Sequence, residues 1–162
     1  MPISPYLKSL RSKLGPDLLV LPAVSLCLID AQSQILLMHS SDSHRWNLPG
    51  GAIEPLEHPA ISAIREMREE TGLDVVITGI RAVYGGPEMH VEYPNGGLVS
   101  YVTTIFSCRA TGGHLHPEDG EALDVGYFAQ SEAENLDLAP WTRTLLPILF
   151  NPDAPPYFSP AE

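Results

Sequence analysis

The chain reads as an α/β protein, a sandwich of helices around a mixed β-sheet, in one domain of residues 1–150. Three observations point there. Apolar runs of strand length lie on both sides of one central amphipathic helix. Helical patterns recur at both ends of the chain. The 162 residues hold no repeat and no change of composition, so they form a single unit large enough for a core. Hydrophobic residues make up 44%, which sets the chain apart from disordered sequences.

Each element has a local reason. Residues 1–16 predict a short N-terminal helix, because Tyr6, Leu7, Leu10 and Leu14 have helical spacing and Gly15-Pro16 ends the pattern. Asp17 to Ile29 is one long strand, or two interrupted at Pro22. Asp30-Ala31-Gln32-Ser33 is a turn, Gln34 to Met38 is a second strand and His39–Arg45 is a polar loop, so this region is expected to form a hairpin. Residues 58–71 switch to helical period, with Ala60, Ile61, Ala63, Ile64 and Met67 on one face. Pro59 suits the first turn, His58 falls at the N-cap and Gly72 suits the C-terminal cap. Strand-like runs follow at Asp74–Tyr84, Leu98–Ala110 and Ala122–Phe128, and Asn95-Gly96 marks a turn between the first two. Ala139–Phe150 is the last helix, which Pro147 is expected to kink or shorten. Residues 151–162 hold four prolines without periodicity, a Pro-rich tail that orders only if it docks.

Charge narrows the function. Asp and Glu number 20 against 9 Lys and Arg, a formal net charge of −11. That excess argues against bulk nucleic acid and against an anionic membrane surface as partners. A phosphorylated small molecule stays compatible if a metal ion supplies positive charge. The longest apolar stretch, Leu18 to Ile29, is too short to span a bilayer and is broken by Pro22 and Ser25. It follows Lys8, Arg11 and Lys13, but no small-residue cleavage site comes after it, so it reads as a buried strand rather than a signal peptide. Cys27 and Cys108 lie in apolar strand-like runs and are expected to be buried, reduced thiols of a cytoplasmic protein.

The chemistry concentrates in Trp46-Asn47-Leu48-Pro49-Gly50-Gly51, then Glu57, then Arg65 to Leu73. At about 100° per residue, Glu66, Glu69 and Glu70 fall within about a 100° arc of the helix, away from its apolar side. Three carboxylates on one stripe repel one another unless a cation joins them. A hard divalent ion prefers such oxygen ligands, and Gly50-Gly51 lies just before the helix, where a tight turn and free carbonyls can complete a Mg²⁺ or Mn²⁺ site. A Glu-rich helical face taken alone is more often simply solvated. The full spacing decides against that. Gly51, five residues, Glu57, seven residues, Arg65-Glu66, then Glu69-Glu70 and Gly72, each followed by its expected spacer, make seven fixed identities. Their chance occurrence in one short chain is below about one in 10⁵.

This pattern resembles the complete signature of the Nudix hydrolases. The hairpin before it, the Trp46–Gly51 entry and the aromatic strand Gly126-Tyr127-Phe128 also have counterparts in that family. Tyr93-Pro94-Asn95-Gly96 resembles a loop in one bacterial subgroup. Two positions depart from the pattern. Leu56 stands where a glycine usually precedes the first signature glutamate, so the turn there is expected to be made differently. Gly97 stands where the subgroup usually has an acid.

The resemblance implies a Nudix-like α/β/α sandwich with a central mixed β-sheet. It implies Glu66, Glu69 and Glu70 as metal ligands, the Gly50 carbonyl as a fourth, and an ion pair of Glu57 with Arg65 that holds the loop on the helix. A further acid is expected from a later loop: Glu121 first, with Glu118 and Asp119 as alternatives. The catalytic set is then Glu57, Arg65, Glu66, Glu69, Glu70 and Glu121, and the metal set Gly50, Glu66, Glu69, Glu70 and Glu121, with one to three Mg²⁺ or Mn²⁺ ions. The implied reaction is water attack at phosphorus in a nucleoside diphosphate linked to another group, with Glu66 or Glu121 as general base. ADP-ribose or a nucleoside diphosphate sugar is the first substrate choice, and a normal or oxidised nucleoside triphosphate the second. A catalytically silent nucleotide-binding module is the alternative of a different class. The family frequently dimerises, so a homodimer is a further expectation.

Other residues carry weaker signals. His114 and His116 alternate but read as a solvated loop, and His90 as an ordinary surface residue in the 85–97 loop. Tyr93 reads as a hairpin anchor, Trp46 as core or rim and Trp141 as core. Arg45 and Arg81 are the cations placed to meet phosphates, with their position in space left open.

Overall fold

The computed structural model describes residues 4–93, 96–117 and 120–159. The elements in chain order are helix α1 (Pro5–Leu14), strands β1 (Leu19–Leu28), β2 (Ile35–Ser40), β3 (Trp46–Asn47) and β4 (Gly50–Ala52), helix α2 (Pro59–Thr71), strands β5 (Leu73–Tyr84), β6 (His90–Glu92), β7 (Leu98–Gly113) and β8 (Ala122–Phe128), helices α3 (Gln130–Ala133) and α4 (Pro140–Leu149), and strand β9 (Tyr157–Phe158). Six strands form a mixed sheet in the order β4-β1-β7-β5-β9, with β6 also paired to β7. The β1–β7 and β5–β9 pairs are parallel and the rest antiparallel. A second, antiparallel sheet has the order β3-β2-β8. The layered α/β class and the mixed central sheet expected from the sequence are both present.

Burial follows the period of the strands. On β1, Val24, Leu26 and Leu28 join Ala63 and Met67 of α2 in one apolar cluster. Cys27 points to the opposite cluster, where it meets Leu145, Leu146 and Leu149 of α4. β1 is thus covered on both faces, which is why it reads as a continuous apolar run. Both cysteines are buried and unbridged, and burial pushes each thiol up to about 12.

Two open expectations are decided and one is corrected. Asp17 to Ile29 contains one strand that runs straight through Pro22. The Pro22 carbonyl still accepts from Ile53 N–H at 3.2 Å, so proline costs one ladder bond at the frayed end of β4. β1 and β2 do not stay a hairpin. The Asp30 carboxylate caps the turn by accepting from Gln32 and Gln34 N–H, and one bridge joins Ile29 to Ile35, after which the strands diverge into separate sheets. The tail is ordered by docking, because Tyr157–Phe158 adds to the sheet beside Ala82 and Val83.

The helices match closely. α2 starts at Pro59 after His58, whose side chain makes no capping bond, and ends at Gly72 with φ 75°. α4 keeps Pro147 within Pro140–Leu149. The 85–97 connection holds the short strand β6, which sequence periodicity did not reveal, and Asn95 of the expected Asn95-Gly96 turn lies outside the described residues. Among the described residues no helix is long and apolar enough to cross a membrane.

Candidate active site

The site forms where β4 leads into α2. Gly50 pairs with Ser25 of β1. Leu26 N–H donates to the Pro49 carbonyl and Ile53 N–H to the Pro22 carbonyl, and bonded pairs alternate along an antiparallel ladder, so Gly50 occupies a non-bonded position. Its polar groups therefore turn away from β1, and its N–H donates to Glu70 Oε2 at 2.7 Å. Gly51 lies against the end of the Glu66 side chain, which a larger residue would push aside. A Cβ there would lie 2.6 Å from the Glu66 carboxyl carbon.

The Glu57–Arg65 pair is bidentate, Nε to Oε1 and Nη2 to Oε2, both at 3.0 Å. Glu57 also accepts from Glu54 N–H at 3.4 Å, which closes the loop before the helix. These hydrogen bonds from Arg65 hold the Glu57 carboxyl below the usual carboxylate range. Leu56, just before it, has φ 67° and is fully exposed. The turn is therefore made with positive φ despite the missing glycine, contrary to the expectation of a different turn.

Arg65 serves more than Glu57. Its Nη1 donates to Glu66 Oε1 at 2.8 Å and to Glu69 Oε2 at 3.0 Å. Glu66 is only 6% exposed. Burial pushes its carboxyl up to about 7, Arg65 opposes the shift, and the charges of Glu69 and Glu121 add to it. Glu70 is 2% exposed on the same helix.

The expected acids are brought near one another across two adjoining cavities. Glu57, Arg65, Glu66, Glu69 and Glu121 line one of about 520 Å³. Gly50, Glu70 and Glu121 line another of about 130 Å³, together with Asp42 and Asn47. Glu121 belongs to both, and its carbonyl accepts from Ser41 N–H at 2.8 Å, which ties its loop to the end of β2. The alternatives Glu118 and Asp119 lie outside the described residues.

Among the described residues no three acidic, histidine or cysteine side chains converge on one point as a ready metal cluster. The expected ligands Gly50, Glu66, Glu69, Glu70 and Glu121 are thus neighbours rather than an assembled shell. The cause is visible: Arg65 draws Glu66 and Glu69 to itself, while Glu70 turns to the Gly50 N–H. The donor set still fits a hard divalent cation. It is all oxygen, two of its carboxylates are buried, and one guanidinium is shared among three acids.

Several other expectations resolve. Arg81 does not face a phosphate site. It is buried and donates to the Ile148, Asn151 and Ala154 carbonyls at the end of α4. Arg45 lies 3.6 Å from Asp137 on the surface. Tyr93 anchors its connection through a 2.8 Å contact between its hydroxyl and that of Tyr101. Trp46 sits at the rim, stacked on His39 and edge-on to Phe128. Trp141 is half-buried and lines a further cavity of about 170 Å³ with Asn47, Glu88 and Tyr101. The 114–116 loop packs its backbone on Gly72, and His116 N–H donates to the Thr71 carbonyl at 2.8 Å. Asp42, Tyr101 and α1 carry no motif, so nothing in the sequence singled them out as neighbours of the site.

Comparison with known proteins shows the family of the chain and its fold. The NUDIX domain model matches residues 20–149, and the chain belongs to the Nudix family. A putative 8-oxo-dGTP diphosphatase of Bacillus subtilis (strain 168) is 36% identical over 64 residues, which are 40% of this chain and 43% of that protein. A MutT-like protein of Streptomyces ambofaciens is 29% identical over 99 residues, 61% of this chain and 57% of that one. The matched segments span about half the length of these two relatives. Among solved structures, a UDP-X diphosphatase superposes with a TM-score of 0.67 at 21% identity, covering 90% of this chain and 68% of that one. An ADP-ribose pyrophosphatase from Streptococcus suis 89-1591 gives 0.63 at 24% identity, covering 80% and 89%. At these identities the structural likeness establishes the fold.

Proposed function

We propose that the protein is a Mg²⁺- or Mn²⁺-dependent pyrophosphohydrolase that cleaves a nucleoside diphosphate linked to another moiety, with ADP-ribose or a nucleoside diphosphate sugar as first substrate. The observation that carries this reading is the meeting of all the signature acids with Glu121 at the β4–α2 junction. A silent module has no need to keep four carboxylates, three of them sharing one arginine, in one place against mutual repulsion. The named activities of relatives, on 8-oxo-dGTP and on ADP-ribose, support the same reaction type.

Glu66, Glu69, Glu70, Glu121 and the Gly50 carbonyl would hold one to three ions. Such ions neutralise diphosphate charge and lower the pKa of bound water. The chain's own residues do the rest. Glu57 clamps Arg65 and so sets the loop against α2. Gly50 N–H donates to Glu70 Oε2 and so holds that carboxylate against the β4 turn. Glu66 or Glu121 accepts the proton of the attacking water, each lying on the cavity wall.

The test is a metal-dependent screen of ADP-ribose, sugar nucleotides, nucleoside triphosphates and dinucleoside polyphosphates, with products identified by mass. Release of a nucleoside monophosphate and a sugar phosphate supports the proposal. Preferential release of pyrophosphate from triphosphates replaces the substrate assignment. Binding without product at any metal concentration overturns the enzyme reading.

A further inference from the structure

The cavity of about 520 Å³ extends well beyond the acids that line one end of it. Its far wall is α1, which lies before the 20–149 segment shared with the family. None of α1 is buried, yet Tyr6, Leu7 and Leu10 line the cavity together with Leu21, Pro22 and Leu56. The helix is fixed in place. Arg11 donates to the Asp17 and Leu98 carbonyls, both at 2.6 Å, which pins α1 to the start of β7. An apolar wall held this firmly beside a polar centre has the form of a ligand site, and the volume lies in the range of small-molecule pockets.

We propose that this cavity receives the nucleoside of the substrate and that α1 is the element that selects it. The inference rests on the diphosphate reading above. Two features choose the occupant. Arg65 is the one cation among the described lining residues, and three carboxylates already engage it, so the cavity has no group to meet a further phosphate. The α1 side offers apolar faces with few hydrogen-bonding groups, which suits a flat base and not a sugar with hydroxyls on every side. The neighbouring cavity of about 170 Å³, which shares Tyr101 and Ala52 with the larger one, carries Asn47, Glu88 and Trp141 and suits the hydroxyl-rich group. A diphosphate at the acids then has one arm in each cavity.

The experiment measures binding and not turnover. Calorimetry with Mg²⁺ compares an α,β-methylene nucleoside diphosphate with methylenediphosphonate, which lacks the nucleoside. Wild type is compared with Leu10→Asp, and with Leu7→Ser, which removes apolar wall without adding charge. Both positions are on the surface helix, and thermal melting checks that each variant folds. The expected result is at least a tenfold loss of affinity for the nucleoside analogue, with methylenediphosphonate unchanged. Unchanged affinity for both ligands, or an equal loss for both, overturns the role of α1. Tighter binding of a prenyl analogue than of the nucleoside analogue to wild type overturns the choice of occupant. Failure of wild type to bind either diphosphate overturns the diphosphate reading and the inference with it.

Discussion

Arg65 holds together a group of acids that would otherwise repel. One guanidinium engages Glu57, Glu66 and Glu69, so the stripe on α2 is held together by an internal cation. Glu69→Gln or Glu70→Gln is expected to reduce turnover by at least about 10²-fold while thermal melting stays close to wild type, because charge stabilisation at the reacting phosphorus is lost. Near-normal steady-state rates in both variants would remove these residues from the site. Glu121→Gln tests the loop acid in the same assay. Leu56 gives a different kind of expectation. A non-glycine residue at positive φ costs about 1–2 kcal/mol, and this side chain is fully exposed. Leu56→Gly is therefore expected to leave the melting temperature unchanged or raise it, where glycine at an ordinary exposed position lowers it.

The elements are tied together at their ends. α4 finishes on buried Arg81 of β5, whose guanidinium donates to the Ile148, Asn151 and Ala154 carbonyls at and just beyond the helix end. Charge of this sign also suits a helix C-terminus. Arg81→Met removes those donors while keeping much of the side-chain volume. The expected loss is about 2–4 kcal/mol in urea unfolding, because buried hydrogen bonds from a charged donor are removed. Since Arg81 lies apart from the acids, KM for substrate should stay unchanged in the folded variant. At the other end of the site, α2 stops at Gly72, where φ 75° excludes a side chain cheaply, and the 114–116 backbone closes over the space that a Cβ would need.

The molecule as a whole keeps its two thiols in the sheet core, on opposite clusters. Burial pushes both from an ordinary 9.0 up to about 12. The neutral form is the one the fold favours, so this contribution to stability is complete below pH 9 and is lost as pH rises toward 12. Iodoacetamide at pH 8 is expected to label neither thiol in the native protein and both after unfolding, as read by intact mass. Chemical stability should fall between pH 9 and 12, and rapid native labelling at pH 8 would contradict the buried placement. The surplus of acids seen in the composition also gains a use here, since Glu57, Glu66, Glu69, Glu70 and Glu121 belong to one locality.

How much of this was legible follows from the range of each interaction. The period and boundaries of α2, the run of β1 and the stripe of acids could be read from the chain, because each depends on residues within about two helical turns or one short loop, whereas the Glu57–Arg65 pair was expected only from the resemblance. The signature spacing pointed to the same place for the same reason, as helix geometry converts sequence separation directly into a shared face. Other features depended on partners far away in sequence. The divergence of β1 and β2 into two sheets needs β7 and β8. The docking of Tyr157–Phe158 needs β5, and Arg81 finds its acceptors about 70 residues downstream. The position of α1 beside the cavity involves Arg11 reaching the Leu98 carbonyl, 87 residues away in the chain. Local periodicity places a residue on a face, and what meets that face is decided when the whole chain has packed.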